Sequence, residues 1–114
     1  MNNLPKDIKV FNHLTFPDKR GDLKCIFESE EDLKIEGFSS KISHSKPFVA
    51  RGIHWQNQKS PQIKAITVLK GAITDFLINL DKNSVDFGKF FSYELNSDSK
   101  ETLYIPAHYG HGFI

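Results

Sequence analysis

The sequence predicts an all-β domain of antiparallel strands, arranged as a sandwich or a barrel. Three observations carry this. Apolar and polar residues alternate with a period of two in several short segments, as strands with one buried face do. Clusters of turn-forming residues separate those segments. Helical periodicity is nearly absent from the 114 residues.

The elements follow in order. A β-rich stretch runs from Ile8 to Phe16 and stops at the turn cluster Pro17-Asp18-Lys19-Arg20-Gly21. Leu23 to Phe27 predicts a second strand. Ser29-Glu30-Glu31-Asp32 predicts one short helical turn, because Ser accepts from free amides and acids favour a helix N-terminus. Phe48 to Trp55 predicts a strand with Gly52 inside it, and Gln62 to Leu69 another that ends at Lys70-Gly71. Ala72 to Leu80 alternates most clearly. Thr74, Phe76, Ile78 and Leu80 fall on one face, with Asp75, Leu77 and Asn79 on the other. After a turn at Asp81-Lys82-Asn83-Ser84, Phe87 to Leu95 alternates again, and Leu103 to Ile105 is a short strand before Pro106. No repeat, low-complexity run or linker interrupts the pattern, so residues 1–114 read as a single domain.

Composition narrows the function classes. Ten Phe, three Tyr and one Trp supply enough ring area for a small core. A formal net charge of +1 gives no electrostatic reason for a nucleic-acid or acidic-membrane partner. The only cysteine, Cys25, excludes an intrachain disulfide. The first residues hold no apolar run of signal-peptide type, and no run approaches the length of a membrane span. The expectation is a cytoplasmic protein.

Four segments hold residues able to do chemistry. In Arg51-Gly52-Ile53-His54-Trp55-Gln56, a general base near neutral pH is available in His54. Arg51 and His54 are three apart and face opposite sides of a flat strand. They converge only if the backbone bends, and Gly52 is where a bulge is cheapest. The plain alternative is a structural histidine beside an aromatic neighbour. Lys64 opens an apolar strand; pointing inward it donates to an oxyanion or a phosphate, pointing outward it is a solvated lysine. His108 and His111 flank a glycine, yet no carboxylate or thiolate lies at ligand spacing, so no metal is expected. Arg20 sits in a surface turn.

Five of these stretches also resemble, in order and over nearly the whole chain, the motifs of one family. Phe16-Pro17-Asp18-Lys19-Arg20-Gly21 resembles F-x-D-x-R-G, and Val49-Ala50-Arg51-Gly52-Ile53-His54-Trp55-Gln56 resembles V-L-R-G-L-H-x-Q. Pro61-Gln62-Ile63-Lys64 resembles P-Q-x-K. Leu80-Asp81 with Phe87-Gly88-Lys89 resembles D-L-R…S-P-T-F-G-x-W, and Ile105-Pro106 with His111-Gly112-Phe113 resembles I-P-x-G-F-A-H-G-F. The family is the dTDP-4-dehydrorhamnose 3,5-epimerases. The resemblance implies a cupin-like antiparallel β-barrel (jelly roll), complete or incomplete, and a homodimer. It implies a dTDP-linked 4-keto-deoxyhexose as substrate, with no cofactor and no metal. It makes His54 the base that takes the proton alpha to the C4 ketone and Lys64 the group beside the enolate oxygen. Arg20, Arg51, Gln56 and His111 become substrate-binding residues.

Departures accompany the match. Cys25 stands where the family usually has a substrate-contacting Glu, Lys41 where it has Asn, and Phe48 where it has Gly. The family's opposite-face acid, a Tyr about a dozen residues after H-G-F, and the Asp that orients its catalytic His fall beyond Ile114. The expectation is therefore a domain lacking the usual C-terminal part, with Tyr109 the phenol nearest the matched motifs. The competing expectation is a non-catalytic module of the same fold that binds a nucleotide sugar or carbohydrate.

Overall fold

The computed structural model describes residues 4–26, 39–55 and 62–114. Among them lie nine strands: β1 (Lys9–Asn12), β2 (Leu14–Asp18), β3 (Gly21–Cys25), β4 (Arg51–His54), β5 (Lys64–Ile66), β6 (Ala72–Asn79), β7 (Phe90–Asn96), β8 (Glu101–Ile105) and β9 (Tyr109–Phe113). Every pairing is antiparallel. One sheet has the order β1-β8-β5, a second β4-β9-β6-β7, and β2-β3 form a hairpin of their own. The core joins the two larger sheets: Leu77, Leu95 and Tyr109 come from β6, β7 and β9, and Leu103 and Ile105 from β8, with Ile8 beside them. Each buried aliphatic side chain there contributes about 1.5–3 kcal/mol. Period-2 alternation thus produces the two-sided antiparallel architecture that it predicts.

Several boundaries differ from the sequence reading. The stretch Ile8 to Phe16 is two strands in different sheets, divided at His13. Pro17 and Asp18 continue β2, pairing with Asp22 and Gly21, and the turn shrinks to Lys19-Arg20. Pro17 fits because β2 pairs on one side only among the described residues, and the missing N–H faces the unpaired side. The strands expected at Phe48–Trp55 and Gln62–Leu69 are shorter, and that at Leu103–Ile105 is longer. The strand expected from Phe87 starts at Phe90, because Ser84 to Lys89 are held in successive turns. The helical turn expected at Ser29–Asp32 lies outside the described residues.

β6 turns its more polar face inward: Asp75, Leu77 and Asn79 are buried, while Phe76 is exposed. Two of the buried polar side chains each have at least one partner. Asp75 meets His111, and Asn79 Oδ1 accepts from the Asp81 amide.

β9 was not expected as a strand. Its sequence, Tyr-Gly-His-Gly-Phe, shows no apolar alternation because glycine occupies both positions of the face turned away from His111, where both are buried. Close approach of β4 requires this. A Cβ on Gly52 would lie 2.5 Å from Gly112 Cα, and Gly52 has a φ of +112°. The two backbones therefore meet at a distance that side chains would forbid.

Candidate active site

The β4–β9 contact bends β4. Arg51 pairs with Phe113 and His54 with His111, so three residues of β4 span two of β9. This is a bulge at Gly52-Ile53, where the sequence allowed one. Its consequence is that Arg51 and His54 face the same side. Lys64 joins them from the opposite sheet, because its cross-strand partner Ile105 is a core residue and neighbours across a ladder share a face.

A pocket of about 300 Å³ results, lined by Ser43, Arg51, His54, Lys64, His111, Gly112 and Phe113. Four residues singled out in the sequence thus meet in one concavity. Two do not. Arg20 lies at the tip of the β2–β3 hairpin, 91% exposed, with Nη2 2.7 Å from Asp18 Oδ2. Gln56 lies outside the described residues.

Asp75 is the functional candidate that sequence reasoning missed. It is fully buried on β6, and His111 Nδ1–H donates to its Oδ1 at 2.6 Å. Its other oxygen, Oδ2, has no hydrogen-bond partner among the described residues. Burial pushes the Asp75 carboxyl up, opposed by the hydrogen bond and charge of His111 and by the charge of Lys64. Burial likewise holds the Lys64 ammonium below its ordinary value, and Asp75 opposes that. The available signal was a lone carboxylate on the inward register of a strand that is otherwise mostly apolar.

The chemistry of the arrangement is definite. Asp75 fixes the His111 ring and leaves its Nε2 edge for a ligand. Among the described residues, His54 sits on an exposed edge strand with access to solvent. A half-buried ammonium at Lys64 is suited to an oxyanion, because low dielectric strengthens the attraction. The exposed Arg51 offers a guanidinium of the geometry phosphates favour.

The remaining candidates have other engagements. His108 Nε2 lies 2.9 Å from Asp7 Oδ2, so the two histidines of the last motif point to different carboxylates. Tyr109, the phenol nearest the matched motifs, does not enter the pocket. It lines a different cavity with Leu4, Asp7, Asn79, Ser84 and Asp86, and its Oη donates to Asp7 at 2.9 Å. Burial and the Asp7 carboxylate both push its pKa up. Its place in a cavity other than that of His54 and Lys64 disqualifies Tyr109 as the opposite-face acid.

The family model described as dTDP-4-dehydrorhamnose 3,5-epimerase matches residues 4–114. The chain belongs to that epimerase family. A relative of that name from Escherichia coli (strain K12) is 31% identical over 114 residues, covering 96% of this chain and 62% of the relative. The crystal structure of the epimerase from Sulfolobus tokodaii is 36% identical with a TM-score of 0.87, over 98% of this chain and 65% of that one. That from Bacillus anthracis is 28% identical with a TM-score of 0.86, over 94% of this chain and 64% of the other. The chain therefore spans somewhat less than two thirds of these relatives. The likeness of fold bears out the cupin-like jelly roll that the motifs implied.

Proposed function

We propose that this chain carries the base and enolate-binding half of a dTDP-4-dehydrorhamnose 3,5-epimerase site. It acts on a dTDP-linked 4-keto-6-deoxyhexose in deoxysugar and polysaccharide biosynthesis. What supports the reading is the meeting of His54, Lys64, Arg51 and His111 in one pocket of a chain in that family. The B. anthracis relative has TDP and PPi bound; in this chain the place proposed for a diphosphate is beside Arg51.

The reaction starts when His54 takes the proton from a carbon alpha to the C4 ketone. The C–H electron pair becomes the enolate double bond, and the carbonyl pair moves onto oxygen. Lys64 stabilises that developing charge. Return of a proton to the opposite face inverts the carbon, and return to the same face regenerates substrate. His111, fixed by Asp75, contacts the sugar.

Incubation with the keto sugar in D₂O tests this. Mass spectrometry should show deuterium gained beside the ketone. His54→Ala should lower that rate by about 100- to 10,000-fold, and Lys64→Ala by a comparable factor. Arg51→Ala should mainly raise KM, because its contact forms with substrate and transition state alike. Binding of dTDP without any exchange would leave the non-catalytic module as the reading.

A homodimer, acting in the cytoplasm, completes the proposal. Leu14, Phe16 and Leu23 of the β2–β3 hairpin are 57%, 56% and 66% exposed, a surface that a second copy would cover. Arg20 at the hairpin tip would then reach nucleotide sugar in the second copy's pocket. Light scattering that finds a monomer at micromolar concentration would sink this part.

A further inference from the structure

We propose that Ser45 is a positioning residue that orients Arg51 toward a diphosphate. Arg51 Nε–H donates to Ser45 Oγ at 2.7 Å, and Nη2–H donates to the His44 carbonyl at 3.3 Å. These two bonds grip one edge of the guanidinium plane and fix its orientation. Arg51 is exposed while Ser45 is half-buried, so the anchor limits rotamer freedom that binding would otherwise remove. The inference rests on the nucleotide-sugar reading above.

Calorimetric titration with dTDP separates the two. Arg51→Gln should abolish most of the affinity. Ser45→Ala should weaken dTDP by about three- to tenfold, the worth of one such hydrogen bond, and Ser45→Thr should restore it. With keto sugar, Ser45→Ala should raise KM and leave kcat unchanged. A wild-type chain that ignores dTDP overturns the functional reading itself. Wild-type binding that Ser45→Ala leaves intact, while Arg51→Gln loses it, overturns only the role of Ser45.

A second cluster fastens the hairpin. Thr102 on β8 is buried, and its hydroxyl donates to the carbonyl of Ile26. Having one proton, that hydroxyl accepts its other bonds: from His13 Nε2 at 2.8 Å and from Thr67 Oγ1 at 2.6 Å. His13 Nε2 thus carries a proton. Its Nδ1 is buried without a hydrogen-bond partner among the described residues. His13 precedes β2 and Ile26 follows β3, so one hydroxyl ties both feet of the hairpin to β8.

We infer that this cluster is a pH-sensitive clamp, in which neutral His13 holds the hairpin and protonated His13 releases it. A proton on Nδ1 leaves the Nε2–H bond to Thr102 in place but sets a charged donor at a buried atom that finds no acceptor among the described residues. Burial holds the imidazole below its ordinary value of 6.5; Lys24 on β3 acts the same way, and Glu101 on β8 opposes. The unfolded chain therefore takes up this proton first as pH falls. The clamp's contribution is complete above 6.5 and is lost as pH drops from there through the lowered folded value.

Hydrogen–deuterium exchange over residues 14–25, corrected for intrinsic rates, tests this at about pH 7.5 and about pH 5.5. Protection should fall several-fold at the lower pH in the wild type. It should stay constant in His13→Gln, whose amide still donates to Thr102. ¹⁵N spectroscopy of the wild-type ring needs no variant to fold and should report Nε2–H at neutral pH. Protection indifferent to pH, or an Nδ1–H tautomer, overturns the clamp.

Discussion

Gly112→Ala is the perturbation that asks most directly whether the β4–β9 contact builds the pocket. The added Cβ would lie 2.8 Å from the Arg51 carbonyl oxygen, 3.1 Å from Ile53 Cγ1 and 3.2 Å from Gly52 Cα. Carbon atoms pack best at about 3.5–4.0 Å, and two of these three contacts are backbone that no rotamer change can relieve. β4 must therefore withdraw by roughly half an ångström. Overpacking of this kind costs about 1–3 kcal/mol, which for a domain of this size lowers Tm by about 4–12 °C. Because β4 carries Arg51 and His54, the same withdrawal should weaken dTDP binding. Leu95→Val is the control: it removes a core methylene on β7, costs about 1 kcal/mol and leaves β4 in place. Differential scanning fluorimetry and dTDP titration of both variants provide the assay. Gly112→Ala with wild-type Tm and wild-type affinity would refute the argument. So would Leu95→Val losing affinity in proportion to its stability.

Three other outcomes are expected. Lys64 is held below its ordinary 10.5 by burial, so the unfolded chain binds its proton more readily and wild-type stability should rise with pH through that lowered value toward 10.5. Lys64→Met should remove this slope in denaturant melts; an unchanged slope contradicts the assignment. Asp75→Asn should lower the Lys64 pKa further, because the Asp75 charge now raises it; an NMR titration of the lysine showing no change would show that the two do not interact. Phe48 is 97% exposed at a φ of +64°, a conformation that costs a side-chain-bearing residue about 1–2 kcal/mol. Phe48→Gly should relieve it and, after the entropy glycine adds to the unfolded chain, stabilise the domain by about 0.5–1 kcal/mol; a lower Tm would show that the ring packs somewhere unseen.

How much of this was legible in the sequence depends on which physical signal each element carries. β6 was read nearly to the residue, and β7 apart from a start placed three residues early, because each has one face against the core, and that imposes a period of two. β9 was missed because the positions that meet β4 are glycine, and glycine erases the very alternation that marks a strand. The bulge could be located but not demonstrated: Gly52 permits it, and only the pairing with His111 and Phe113 requires it. The division at His13 has a similar cause. One β-rich run serves two sheets, and the switch is made by a histidine whose partner, Thr102, is 89 residues away. Asp75 is the most instructive miss. A carboxylate alternating with Leu77 and Asn79 could be assigned to a face, but the more apolar face of β6 is the other one, so its burial was not readable, and a buried carboxylate is explained only by its partner. That partner, His111, is 36 residues distant, and the pair became visible only when β6 and β9 lay side by side. Cross-strand pairing converts sequence separations of this kind into hydrogen bonds. The site residues were therefore recoverable as a set through motif order, while the relations among them came only from the sheet.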